Sequence, residues 1–167
     1  MTQPSWKLED CALSDLGELR HRFARGALPR SGHPLLLVRL EGTADRHADG
    51  ICDQASAIVM AGLEAWQPWA LILDLRGLAY SWGDRMQNVL GAAQRWYEPL
   101  RALRRAFGGE GVGDDFPLGV VVSDLNREGL TSLVRDEMHL DPGALLFESV
   151  DEAAAALDRE LEGVIPV

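Results

Sequence analysis

Basic residues are outnumbered in this chain, 16 Lys and Arg against 26 Asp and Glu, for a formal net charge of -10. A general nucleic-acid or anionic-membrane binder needs a basic footprint, so the balance argues against both and suits a protein partner with a basic surface. Cysteine is scarce: Cys11 and Cys52 have no C-x-x-C spacing, which excludes a disulfide framework and a zinc knuckle and leaves two reduced thiols. No apolar run approaches the roughly 20 residues that span a bilayer. The opening residues Met1 to Lys7 lack the basic-then-apolar run of a signal peptide, so the expected location is the cytoplasm. The glycines at 108, 109, 111 and 113 are not followed by Gly-Lys-Ser/Thr, so they form a linker and not a phosphate loop. His21, His33 and His139 are isolated, and no nucleophile–base pair is visible. Asp45, His47 and Asp49 alternate, but a polar turn before a helix has the same composition, so neither metal nor cofactor is expected.

The hydrophobic share of 47% and charged share of 25% are those of an ordinary globular protein, and 167 residues fit one domain with a real core. Residues 6–13 alternate apolar and polar, as a short edge strand would. Ser14 can cap a helix with Leu16, Leu19 and Phe23 on one face and Gly26 near its end. Residues 29–34 form a loop. The run Leu-Leu-Leu-Val-Arg-Leu at 35–40 then reads as a strand covered on both faces. Ile51, Ala55, Ile58, Val59 and Leu63 recur at helical spacing until Pro68 ends the helix. Residues 70–75 form the clearest buried strand.

Ser81 to Asp84 has capping-box spacing and opens a helix marked by Met86, Val89, Leu90, Ala93, Tyr97, Leu100, Leu103 and Phe107, which Pro99 should kink or divide. Residues 118–123 form a buried strand and 126–138 a helix. A short strand follows at 145–148, and a cleaner capping box at Ser149 to Glu152 starts the last helix. Strands alternating with amphipathic helices give an α/β fold with a single, mostly parallel sheet and right-handed crossovers. Residues 1–33 read as an N-terminal strand and inserted helix of the same domain, and residues 34–163 as its core.

Three stretches resemble the STAS family (sulfate transporter and anti-sigma factor antagonist). Val38-Arg39-Leu40-Glu41-Gly42 is similar to its second strand, Leu73-Asp74-Leu75-Arg76-Gly77-Leu78 to the strand entering its signature loop, and Phe147-Glu148-Ser149-Val150-Asp151-Glu152-Ala153 to its last strand and helix start. The resemblance covers about 130 residues and implies a STAS-like fold and a regulatory protein-binding role. The family's loop holds an Asp-Ser pair whose hydroxyl is phosphorylated. Here Trp82 and Gly83 occupy those positions, followed by Asp84 and Arg85, so the resemblance implies a module without a phosphoserine switch.

No catalytic residue is assigned. The partner-binding candidates are Tyr80, Trp82, Asp84 and Arg85 at the loop and helix start, where free N–H groups and aromatic rings favour contact. Arg101, Arg104 and Arg105 flank them, sharing one helix face by their spacing. An immunity or antitoxin protein covering a toxin's basic site is the sharper form of this expectation. A small-molecule binding domain is an alternative. A short crotonase-like enzyme is another, since residues 71–77 also resemble a strand of that fold and Ser81 to Asp84 a loop of it.

Overall fold

The computed structural model describes residues 12, 18–44, 49–81, 85–106 and 115–164, the side chains of 49 and 103–106 excepted. Five strands form one sheet in sequential order: β1 (Arg20–Ala27), β2 (Pro34–Ala44), β3 (Ala70–Tyr80), β4 (Leu118–Val121) and β5 (Leu146–Phe147). β1 is antiparallel to β2, and the other three pairings are parallel. The α/β class with a mostly parallel sheet therefore holds. From β2 onward the alternation of strands and helices is the one expected above.

The helices are α1 (Asp49–Trp66), α2 (Met86–Leu90), α3 (Ala92–Ala106), α4 (Arg127–Ser132), a short α5 (Pro142–Leu145) and α6 (Val150–Glu160), with a π-helical turn at Leu133–Glu137 after α4. Parallel neighbours taken in sequence by right-handed crossovers put every connecting helix on one face. Side chains of α1, α2, α3 and α4 accordingly share one core with Val38, Leu40, Leu73 and Val120. On the other face α6 lays Ala153, Leu157 and Leu161 against Leu28, Ala70, Ile72 and Val121. Its start is held by the expected cap, Ser149 Oγ accepting from Glu152 N at 3.2 Å. No helix among the described residues is long and apolar enough to cross a membrane.

Two expectations are corrected. Residues 20–27 form a strand where a helix was expected; the helical spacing of Leu16, Leu19 and Phe23 gives way to continuous pairing with β2, from Arg20 opposite Glu41 to Ala27 opposite Pro34. A tight turn joins the two strands, with Leu28 N donating to His33 O (2.9 Å), Gly32 N to Leu28 O (3.0 Å), and Gly32 at φ +72°. The second correction concerns the division expected at Pro99, which does not occur. α3 runs through it, and the break falls at Gly91, between α2 and α3. The expected strand at 6–13 lies outside the described residues apart from Ala12, and Asp45 and His47 also lie outside them.

The last helix is tied to the β1–β2 turn by Asp158, which is 2% exposed and accepts from Ser31 N (2.8 Å) and Arg30 N (2.9 Å). Burial pushes its carboxyl up, but those hydrogen bonds outweigh burial and hold it below the ordinary value of 3.8. Asp158→Ala is expected to lower the thermal midpoint and to remove hydrogen-exchange protection at the Arg30 and Ser31 amides, leaving amides within β3 protected. Unchanged exchange at those two positions would show that the turn holds without α6.

Candidate functional site

The carboxyl ends of β3 and β4 meet the first turns of α1 and α2 along one rim. The local geometry begins with a bulge in β3. Arg39 pairs with Asp74, but two residues later Glu41 pairs with Gly77, so β3 carries one residue more than β2 over that interval. Such an insertion shifts the in–out alternation of the strand. Leu71, Leu73 and Leu75 face the four-helix side before the bulge, and Leu78 and Tyr80 face it afterwards. Tyr80, expected as an exposed contact residue, is 4% exposed and belongs to the core. This is a correction with a local cause, since unbroken alternation from Leu75 would have sent Tyr80 to the opposite face.

A buried side chain then fixes the end of β3. Asn126, 1% exposed, directs its Nδ2 to the carbonyls of Leu75 and Leu78 (2.8 Å to the latter), and its Oδ1 accepts from Ser123 N at 3.1 Å. The β3–β4 ladder ends at Asp74 opposite Val121, so these two carbonyls lie beyond it and Asn126 supplies the donors that β4 no longer provides. Ser123 Oγ donates to Arg76 O at 2.9 Å, and Tyr80 N donates to Leu125 O at 3.3 Å. α4 closes on the same segment: a Cβ at Gly129 would stand 2.8 Å from the Ser81 carbonyl oxygen, so only glycine permits this approach.

The turn at 123–126 thereby presents Leu125 with 59% of its surface exposed. Beside the same rim, Arg85 Nη1 reaches Asp53 Oδ2 on α1 at 3.2 Å, with both side chains about half exposed. An exposed leucine and an exposed arginine–carboxylate pair on one rim have the make-up of a contact surface, an apolar anchor with a polar border. Arg85, one of the contact candidates, is thus exposed at the start of α2. Trp82 and Asp84 lie outside the described residues. Arg101 is half-buried on α3, and the side chains of Arg104 and Arg105 lie outside the described residues. Arg95 turns back to its own helix pair, Nη2 donating to Asn88 O at 2.6 Å. Trp96 donates from Nε1 to Glu64 Oε2 at 3.0 Å, and Tyr97 is core, so both pack as aromatic residues beneath a helix layer.

A second cluster stands on the other face of β2 and β3, and sequence reasoning missed it. Asp74, 1% exposed, accepts from Arg76 through Nε (2.8 Å) and Nη2 (2.9 Å), and from Arg39 Nε (2.8 Å). Burial alone would raise its carboxyl. The bonds from Arg76 and Arg39 prevail and hold it below the ordinary 3.8. The available signal was the i, i+2 spacing of Asp74 and Arg76 in a strand, which puts both on one face. Pairing with Arg39 needed the register.

No protein-family model matches the chain, and no curated protein matches it. Among solved structures, the chain is similar to an anti-sigma factor antagonist from Mycobacterium paratuberculosis at 17% identity, with a TM-score of 0.47 over 83% of this chain and 94% of that one. It is also similar to the anti-sigma factor antagonist SpoIIAA in its unphosphorylated form, at 17% identity and a TM-score of 0.42, over 87% of this chain and all of that one (100%).

Asn126→Ala is expected to cost about 2 kcal/mol or more, because two buried carbonyls lose their donor. Urea denaturation checks this, and a loss below about 0.5 kcal/mol would mean that the turn is held by α4 alone. For Asp74 the folded carboxyl titrates lower than the unfolded one. Its stabilisation is therefore complete above pH 3.8 and disappears as pH falls through the lower folded value. Unfolding midpoints measured between neutral pH and strong acid should fall less steeply for Asp74→Asn than for the wild type in that acid window. The variant should also be the less stable of the two at pH 7.

Proposed function

We propose that this chain is a non-catalytic, protein-binding regulatory module of STAS-like organisation that works without a phosphoserine switch. The observation that carries the reading is the rim at which the turn clipped by Asn126 presents Leu125 to solvent and the start of α2 presents the exposed Arg85–Asp53 pair. The three stretches that resemble the STAS family occupy fitting elements: 38–42 lies in β2, 73–78 in β3, and 147–153 joins β5 to α6. Gly83 stands at the position that a phosphorylated hydroxyl would need. The sequential strand order supports a binding role over catalysis. Nucleotide and substrate crevices of open α/β sheets form where adjacent crossovers diverge to opposite faces, and here all crossovers between parallel strands lie on one face.

An immunity protein or antitoxin that masks a basic site is the finer form of this reading, supported by the net charge of -10. Genomic placement discriminates the two forms: a neighbouring kinase or sigma factor gene supports the regulator, and a neighbouring toxin gene supports immunity.

The test uses a photo-crosslinking residue at position 125 in the native host to identify the partner, followed by calorimetry with the purified pair. Leu125→Asp and Arg85→Glu should each weaken the complex about thirtyfold, the loss of about 2 kcal/mol typical of an anchor residue. Both side chains are exposed, so the thermal midpoint should change little. A partner that binds both variants as tightly as the wild type would remove the rim from consideration.

A further inference from the structure

Among the described residues, the face of the sheet that α6 covers is not covered completely. α6 packs on β3, β4 and β5, and its core contacts on β2 are with Leu35 and Leu37, at that strand's amino end. Farther along the strands, the same face carries Arg20 opposite Glu41, Arg22 opposite Arg39, and Arg39 in turn opposite Asp74. Arg76 completes the group through its two bonds to Asp74. The side chains of Arg20, Arg39 and Arg76 are 85%, 41% and 42% exposed. Between β1 and β2 lies an open hollow of about 250 Å³, lined by Arg20, His21, Arg22, Arg39 and Glu41.

Among the described residues, charge at this corner is unbalanced, and in the opposite sense to the chain as a whole. Asp74 is already engaged by both Arg39 and Arg76, and Glu41 stands 3.9 Å from Arg20. Arg22 is exposed and has no ion-pair partner among the described residues, and its direct cross-strand neighbour is another arginine. Like charges directly opposite in an antiparallel pair are destabilising. Asp74 compensates Arg39 but not Arg22, and a breach of that rule left partly uncompensated is expected where function uses it.

We propose that this corner docks a carboxylate-rich segment of a partner protein, with Arg22 and Arg20 as its first contacts and the outer N–H groups of Arg39 as the third. Charge complementarity selects the occupant. Guanidinium forks match carboxylates bidentately, and those of Arg20 and Arg22 are not engaged in a close pair. A small anion is poorly served, because the hollow is open and its cations are hydrated. A nucleic acid would carry its phosphates beyond the corner over a chain of net charge -10. The corner spans three strands, roughly 10 Å across, enough for two or three carboxylates of one extended segment. This surface is separate from the rim at Leu125 and Arg85, so a single partner or two can engage the two regions.

The experiment follows a fluorescein-labelled decaglutamate peptide by anisotropy at low ionic strength. Wild-type protein should bind it, with affinity falling as salt is raised. Arg22→Glu should weaken binding about tenfold or more with an unchanged thermal midpoint. If that midpoint shifts, Arg20→Glu reads the same loss. Arg85→Glu reverses one charge equally but lies on the rim, so it should leave peptide binding unchanged, which separates this proposal from the rim reading. Absence of binding to the wild type, equal binding by the Arg22 and Arg20 variants, or an equal loss in Arg85→Glu would overturn it. Inorganic phosphate displacing the peptide at equal concentration would overturn it in favour of a small-anion site. Wild-type dimers that Arg22→Glu abolishes in sedimentation would make the occupant a second copy of this chain.

Discussion

β3 has to be covered on both faces, but the chain supplies its two covers unequally. Sequential strand order with right-handed crossovers commits α1, α2, α3 and α4 to one side, where they form a single core with the inward residues of β2, β3 and β4. Among the described residues only α6, arriving after the last strand, is left for the other side. One short helix cannot cover five strands. The second face is apolar toward the amino ends of β2 and β3, where Ile72 and Leu37 meet α6, and charged toward their carboxyl ends and the amino end of β1. Asp74 stands at that boundary, with its charge buried and two arginines lying over it.

A single extra residue in β3 then determines how the carboxyl end is used. The bulge turns Leu78 and Tyr80 back toward the four-helix core, and it exposes consecutive residues, Arg76 and Gly77, where alternation would hide one of them. On the other edge of β3 the ladder with β4 ends at Asp74, and Asn126 continues the bonding from the β4–α4 turn. Those bonds hold the turn at 123–126 against the end of β3, with Leu125 in solvent. The rim and the arginine corner are physically connected as well, because Ser123 Oγ on the turn bonds the carbonyl of Arg76.

Charge is distributed against the overall balance. A net charge of -10 describes the chain at long range, where a basic partner would be drawn in. At contact range the corner around Arg22 has the opposite sign, since the Debye length of about 8 Å at physiological salt lets it act locally. An acidic protein with one basic corner constrains the orientation of a partner more tightly than one with uniform charge.

The sequence by itself determined the parts of this protein that repeat a pattern. Continuous apolar runs marked β2, β3 and β4, the recurrence of Ile51, Ala55, Ile58 and Leu63 marked α1, and the Ser149 cap marked α6. These signals are local, because they depend on which faces of one element are buried. β1 gave no such signal. Only Phe23 among its eight residues is even half-buried, so its alternation is faint and the helical spacing of neighbouring leucines was misleading. Tertiary structure alone decided the site. Tyr80 went inward because of a bulge that no residue type announces, and Asn126 became a clip only when β4 lay beside β3. Arg22 met Arg39 across a register set by the turn at 28–33. Each of these depends on the distance between residues far apart in the chain, which pattern along one element does not encode.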